Sequence, residues 1–310
     1  MEVVFYGERG SFPTPLTPED YQKNIKTILD IYNNSNEKNI DQFVKTLPLN
    51  LYQIRGGNTS CFTIEKEKSD LIVFDAGSGL IELGKKLKFK NNLNIHIFLS
   101  HFHWDHICGI PFFKPLYNPS NTIYFYSTDK NLLKNLIRQQ LKPFFPISFS
   151  ELAAKKKFSI LKFQVKYQLK DFSFRAIPLK NPGVSTGYIF ESDKKKIGYV
   201  TEVEFTPDDI HNNKMFYKAC FEGIELLIMG SQHNLKDYYN KFTWGHTSYE
   251  MVADLALEWR VKKLILFHSS PEQTDEDMNI VIKKANEQIK QYNRRQLDII
   301  QAYEGLTLKI

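Results

Sequence analysis

The chain has 310 residues, of which 42% are hydrophobic and 25% charged, and its formal charge is +6 with a pI near 8.9. This is the composition of a globular chain long enough to bury a core. Three widely spaced cysteines exclude a disulfide framework, and no apolar run approaches a membrane span. The first residues have neither the basic stretch nor the apolar length of a signal peptide, so a reducing, cytoplasmic setting is expected. The mildly basic balance permits an anionic substrate without requiring one. Lysine runs at 155–157 and 194–196 read as solvated turns.

In chain order, a strand at residues 3–6 leads into Gly7-Glu8-Arg9-Gly10-Ser11 and a proline-rich stretch. Helical spacing follows in pieces from 19 to 47, broken at Asn33-Asn34-Ser35-Asn36. This reads as two short helices in an insertion at about 14–50, within a single domain spanning 1–310. A glycine-bearing loop, Arg55 to Ser60, precedes strands at 61–64 and 71–74. The second of these closes on Asp75-Ala76-Gly77-Ser78-Gly79. A helix near 81–87 then leads to an apolar strand at 95–100.

That strand feeds His101-Phe102-His103-Trp104-Asp105-His106, three imidazoles and a carboxylate in six residues of a chain with eight histidines. Histidines at i and i+2 of an extended segment share a side, whereas Asp105 and His106 come where the chain turns. Two neighbouring sets of metal ligands are the natural product. Beyond the cluster come a strand at 122–126, a helix at 130–140 and β candidates at 160–165, 172–177, 187–190, 198–201 and 225–228. An amphipathic helix at 248–259, an apolar strand at 264–267 ending on His268 and a charged helix at 275–292 complete the pattern. Mixed strands with helices outside them indicate a layered α/β sandwich.

The pattern His101-x-His103-x-Asp105-His106 resembles the signature of the metallo-β-lactamase fold hydrolases. Gly10 to Pro15, the loop ending at Cys61, Phe74 to Gly79, Trp244-Gly245-His246-Thr247-Ser248 and Leu266 to Pro271 resemble its phosphodiesterase branch, which includes ribonuclease Z and cyclic phosphodiesterases of phosphonate breakdown. The resemblance implies a four-layer αββα sandwich with one or two divalent metals, Zn2+ or Mn2+, at one edge. It places His101 and His103 on one metal and Asp105, His106 and His268 on the other. Glu202 would bridge them, and Asn181 would complete the first set. Glutamate stands where aspartate is expected at 202, and asparagine where histidine is expected at 181. Gly230 stands where relatives often carry an acidic residue. An amide oxygen is a neutral and harder donor than imidazole. Asp75 would orient a ligand histidine as a second-tier carboxylate, and His246 would donate a proton or hydrogen bond to the leaving oxygen.

The implied activity is hydrolysis through a metal-bound hydroxide, with a cyclic nucleotide, a cyclic phosphate or an RNA 3′ end as substrate. Two divalent ions less Asp105, Glu202 and hydroxide leave one positive charge, which suits a phosphodiester monoanion. A thioester or lactone hydrolase, or a binding protein with weakened catalysis, remains an alternative. A homodimer is compatible with the sequence, and no membrane partner is expected. Of the remaining histidines, His96 reads as packed or surface-facing and His211 as solvated. His233 is not expected to compensate for Asn181. Cys108 reads as a small apolar side chain.

Overall fold

Alternation along the strands sets the architecture. In β1 (Glu2–Gly7), Val3 and Phe5 face one way and Val4 and Tyr6 the other, and both sets are buried. A strand apolar on both faces needs a layer on each side. The computed structural model, which describes residues 1–48, 51, 55–66, 70–240, 244–291 and 297–310, supplies both. The strands that follow are β2 (Cys61–Glu65), β3 (Leu71–Phe74), β4 (Asn94–Phe98), β5 (Thr122–Ser127), β6 (Lys155–Ile160), β7 (Tyr167–Leu169) and β8 (Phe172–Leu179). Then come β9 (Ser185–Ser192), β10 (Lys195–Val200), β11 (Leu226–Gly230), β12 (Lys263–Phe267), β13 (Asp298–Gln301) and β14 (Thr307–Lys309). They form two sheets, ordered β14-β1-β2-β3-β4-β5-β6 and β13-β12-β11-β10-β9-β8-β7.

Helix Gly79–Leu87 buries Leu80, Leu83 and Leu87 on the outer face of the first sheet, beside Leu132 and Leu136 of helix Leu132–Gln139. Helices Pro207–Phe221, Tyr249–Glu258 and Asp275–Gln291 cover the second sheet through Tyr217, Phe221, Val252, Val281 and Ala285. The result is the expected four-layer αββα sandwich. Between the sheets lies an aromatic layer. Phe62 stacks on Phe74 at 4.7 Å between ring centroids and on Phe5 at 5.4 Å, and Phe98 stacks on Tyr126 at 4.4 Å. Tyr199, Phe190 and Phe174 of the second sheet meet these rings edge-on, Tyr199 standing 4.9 Å from Phe62. Such pairs add to the area they bury.

Direction decides where chemistry can occur. β3 to β6 run parallel, and so do β10 to β13. The carboxyl ends of parallel strands are where loops gather ligands. Here Asp75 follows β3, the histidine cluster follows β4, Glu202 follows β10 and His268 follows β12, while the β8–β9 connection carries Asn181. The Thr186 N–H donates to the Ser100 carbonyl at 3.0 Å and ties the two sheets together at this edge.

Some local expectations are corrected. Residues 155–157 are not a turn but the start of β6, and the strand ends at Ile160 where the pattern had placed a beginning. β6 is an edge strand, and lysines are a common guard against edge-to-edge pairing. Lys194 does lie in a tight turn with Asp193, both at positive φ, but Lys195 and Lys196 open β10. Helices Pro207–Phe221 and Leu235–Asn240 were not anticipated. The segment expected as an insertion contains helices Pro18–Asn33 and Ile40–Thr46, separated at the expected asparagines. Residues 49 and 50, at the end of the expected insertion, and Tyr292 lie outside the described residues. His96 is a packed residue, with its ring 4.3 Å from that of Tyr124 and hydrogen bonds to Tyr126 and Asp70. No helix among the described residues is long and apolar enough to cross a membrane.

Phe62 is fully buried and touches rings from both sheets. Phe62→Ala is expected to lower unfolding stability by about 3–5 kcal/mol, read from urea denaturation followed by circular dichroism.

Candidate functional site

Asp75 sits at the end of β3 with φ of 53° and no exposed surface. Its carboxylate accepts from the Ser100 N–H at 2.7 Å, the Ser100 hydroxyl at 2.7 Å, the Tyr199 hydroxyl at 2.6 Å and His106 Nδ1 at 2.6 Å. The last contact fixes the tautomer of His106. With Nδ1–H committed to Asp75, Nε2 faces inward.

Inward, four atoms converge. His106 Nε2 lies 3.1 Å from His268 Nε2, and Asp105 Oδ2 lies 3.0 Å from His268 Nε2 and 3.3 Å from His106 Nε2. Glu202 Oε1 stands 3.3 Å from His268 Nε2 and 3.8 Å from His106 Nε2. All four residues are buried. Two carboxylate oxygens and two imidazole nitrogens packed this closely need a cation or protons among them, because their lone pairs otherwise repel. Burial works against charge on His106, but the Asp105 and Asp75 carboxylates override it and push its pKa well above the usual histidine value. Burial likewise opposes ionisation of Asp105, yet His106 and His268 hold its carboxyl far below the ordinary range. Glu202 is shifted up, mainly by burial.

A second group adjoins the first. His101, His103 and Glu202 bring ligand atoms within 4.8 Å of one another, so Glu202 is common to both groups. The Ser100 hydroxyl gives its proton to Asp75 and accepts from His101 Nδ1 at 3.0 Å. His101 Nε2 is then a buried acceptor with no hydrogen-bond partner among the described residues. Burial and the neighbouring imidazoles hold His101 well below its usual pKa, so it stays neutral. An orphaned buried nitrogen facing a carboxylate is the donor set a divalent metal fits.

Asn181 lies beside Glu202, in the connection between β8 and β9. Its carbonyl oxygen accepts from the Gly183 N–H at 3.1 Å, and its NH2 faces Glu202 Oε2 and the Gly245 carbonyl, each at 3.3 Å. Its NH2 is thus turned towards Glu202 and its oxygen towards the β8–β9 turn. His246 Nδ1 lies 3.7 Å from Glu202 Oε2, and its ring centroid is 5.4 Å from that of His268. Burial and nearby imidazoles pull His246 down to about 2, so the ring is neutral. His233 is 5.6 Å from His246 between centroids and belongs to neither ligand group. At Gly230 a Cβ would stand 2.6 Å from the Thr201 carbonyl oxygen, which accounts for glycine there.

Sequence reasoning missed the residues that brace His268. Glu8 accepts from the Ser269 hydroxyl at 2.6 Å. Arg9 donates to the carbonyls of Gly56 at 2.9 Å, Ser270 at 3.1 Å and Gln273 at 2.8 Å. A Cβ on Gly10 would lie 2.6 Å from the His268 ring, and the Ser11 N–H donates to Asp105 Oδ2 at 2.8 Å. The motif Gly7 to Ser11 was visible in the sequence, but nothing local links it to a residue more than 250 positions away. Tyr199 was equally hidden within an apolar strand.

A family model described as the beta-lactamase superfamily domain matches residues 71–269, well over half of the chain. Ribonuclease Z of Pyrococcus horikoshii is 23% identical over 244 residues, covering 65% of this chain and 78% of that protein. The metallo-beta-lactamase fold protein YhfI from Bacillus subtilis superposes with a TM-score of 0.64 at 15% identity, covering 99% of this chain and 98% of that one. The short form of human tRNase Z gives 0.61 at 18% identity, covering 100% and 99%. The chain therefore belongs to the beta-lactamase superfamily, as a metal-dependent hydrolase of the metallo-β-lactamase fold.

Proposed function

We propose that the protein hydrolyses phosphodiesters, with Asp105, His106, His268 and Glu202 holding one divalent cation and His101, His103 and Glu202 a second. The observation that carries this reading is Glu202, the one carboxylate common to both ligand groups. Bound there, divalent cations supply Lewis acidity that activates water at neutral pH and offsets phosphoryl charge. The curated relative named ribonuclease Z supports a phosphodiester over a thioester or lactone.

The chain's own residues set the geometry. Asp75 keeps His106 in the tautomer that turns Nε2 inward, and Ser100 does the same for His101. The Ser11 N–H steadies Asp105 Oδ2. Asn181 acts through Glu202, holding Oε2 with its NH2 so that the longer glutamate stem keeps one orientation. His246, neutral and beside Glu202, serves as a hydrogen-bond donor to the leaving oxygen.

Three outcomes test the reading. His106→Ala should remove bound metal, read by elemental analysis, and abolish turnover of bis-p-nitrophenyl phosphate while the far-UV circular dichroism is kept. Full turnover in that variant would exclude the site. Asp75→Asn should weaken metal affinity by about 10–100-fold, measured by competition with a chelating dye. Because the raised pKa of His106 leaves a proton on the imidazole at neutral pH, a cation must displace it. Metal affinity should therefore rise with pH, and calorimetry in buffers of different ionisation enthalpy should register proton release. A pH-independent affinity with no released proton would contradict the ligand role of His106.

A further inference from the structure

The two ligand groups are buried except at His103, so the site meets solvent beside that residue. Four exposed apolar side chains neighbour site residues, each on a different segment of the chain. Trp104, 65% exposed, lies between His103 and Asp105. Phe12, 56% exposed, follows Ser11, whose N–H donates to Asp105 Oδ2. Val184, 57% exposed, follows Gly183, whose N–H donates to the Asn181 side chain beside Glu202. Trp244, 64% exposed, precedes Gly245, whose carbonyl accepts from Asn181, and then His246. The segments that hold the site residues thus also carry an apolar rim. Exposed apolar groups gathered at a polar site mark a place where an apolar group is received.

Charge around this rim is sparse. Within two positions of any of the four residues there is no lysine or arginine, and the single carboxylate is Asp105. Arg9, three positions from Phe12, is buried and held on the carbonyls of Gly56, Ser270 and Gln273. Lys180, four positions from Val184, donates to the Thr206 hydroxyl at 2.8 Å. Lys241 lies outside the described residues. A polynucleotide brings further phosphates beside the scissile one and depends on cations to meet them. The four rim side chains have only two hydrogen-bonding groups, the indole N–H of Trp104 and that of Trp244. Sugar hydroxyls and base edges set against them would lose water without gaining partners.

We infer that the substrate is a phosphodiester monoanion with an alkyl chain on one of its alcohols, taken out of water by Phe12, Trp104, Val184 and Trp244. The scissile phosphate is then the one charge brought to the ligand groups. The inference rests on the phosphodiesterase reading and names its substrate class.

The test uses metal-loaded, full-length protein and p-nitrophenyl alkyl phosphates, which share one charge and one leaving group. From the methyl to the hexyl ester, kcat/KM should rise about two- to fourfold per methylene. The p-nitrophenyl ester of thymidine 5′-phosphate, alike in charge and leaving group, should react more slowly than the hexyl ester. In Phe12→Ser and in Val184→Ser the hexyl-to-methyl ratio should fall about fivefold or more. Because the ratio is taken within one protein, changes in metal content or folded fraction cancel. Fluorescence gives a readout other than turnover. Of the three tryptophans only Trp259 is buried, so monohexyl methylphosphonate should blue-shift the emission of Trp104 and Trp244, and monomethyl methylphosphonate should not. A flat chain-length series, a ratio unchanged in both variants, an absent blue shift or a faster nucleotide ester would each overturn the inference. In those cases turnover of the methyl ester leaves the phosphodiesterase reading standing. No turnover of any ester by protein with bound metal removes that reading, and this inference with it.

Discussion

The carboxylate of Asp75 is the point on which the site depends. It is wholly buried, and four donors satisfy it: two from Ser100, one from His106 and one from Tyr199. Hydrogen bonds to a charged group are each worth about 1.5–3 kcal/mol, and leaving such a group unmatched in the interior costs more. The same four contacts join β3 and the loop after β4 to β10 of the opposite sheet. A single side chain thus aligns an imidazole and fastens the two halves of the sandwich where their strand ends meet.

How much of this was legible depended on sequence distance. The histidine cluster announced itself because its residues are neighbours, and continuous apolar strands such as β1 and β12, set among helices, pointed to the layers. Glu202 and His268 carry no local signal beyond their place after an apolar strand, and they were reached through resemblance. The orientation of Asn181 was beyond reach, since it depends on the turn to Gly183 and on the closeness of Gly245. β6 was misread because an edge strand of lysines looks like a loop, and helix Pro207–Phe221 was missed because few of its side chains are buried. Tyr199 looks like any core aromatic until its hydroxyl is seen on Asp75.

The bracing of His268 follows the same logic by different means. This residue sits at φ of 61°, a conformation that costs a non-glycine side chain about 1–3 kcal/mol. Arg9 and Glu8 hold the segment after it, and glycine at position 10 gives the ring room. The strained residue belongs to the last third of the chain and is held by side chains of the first, so neither end alone defines its position.

The two pairs in the four-residue group have different carriers. Asp105 and His106 ride on the first sheet, whereas Glu202 and His268 ride on the second. Any slippage of one sheet over the other is transmitted undiminished to the gap between those pairs. The rings of Phe62, Phe74 and Phe98, met edge-on by Tyr199, Phe190 and Phe174 of the opposite sheet, therefore act as a friction plate, and a loosened plate would reach the chemistry as misalignment.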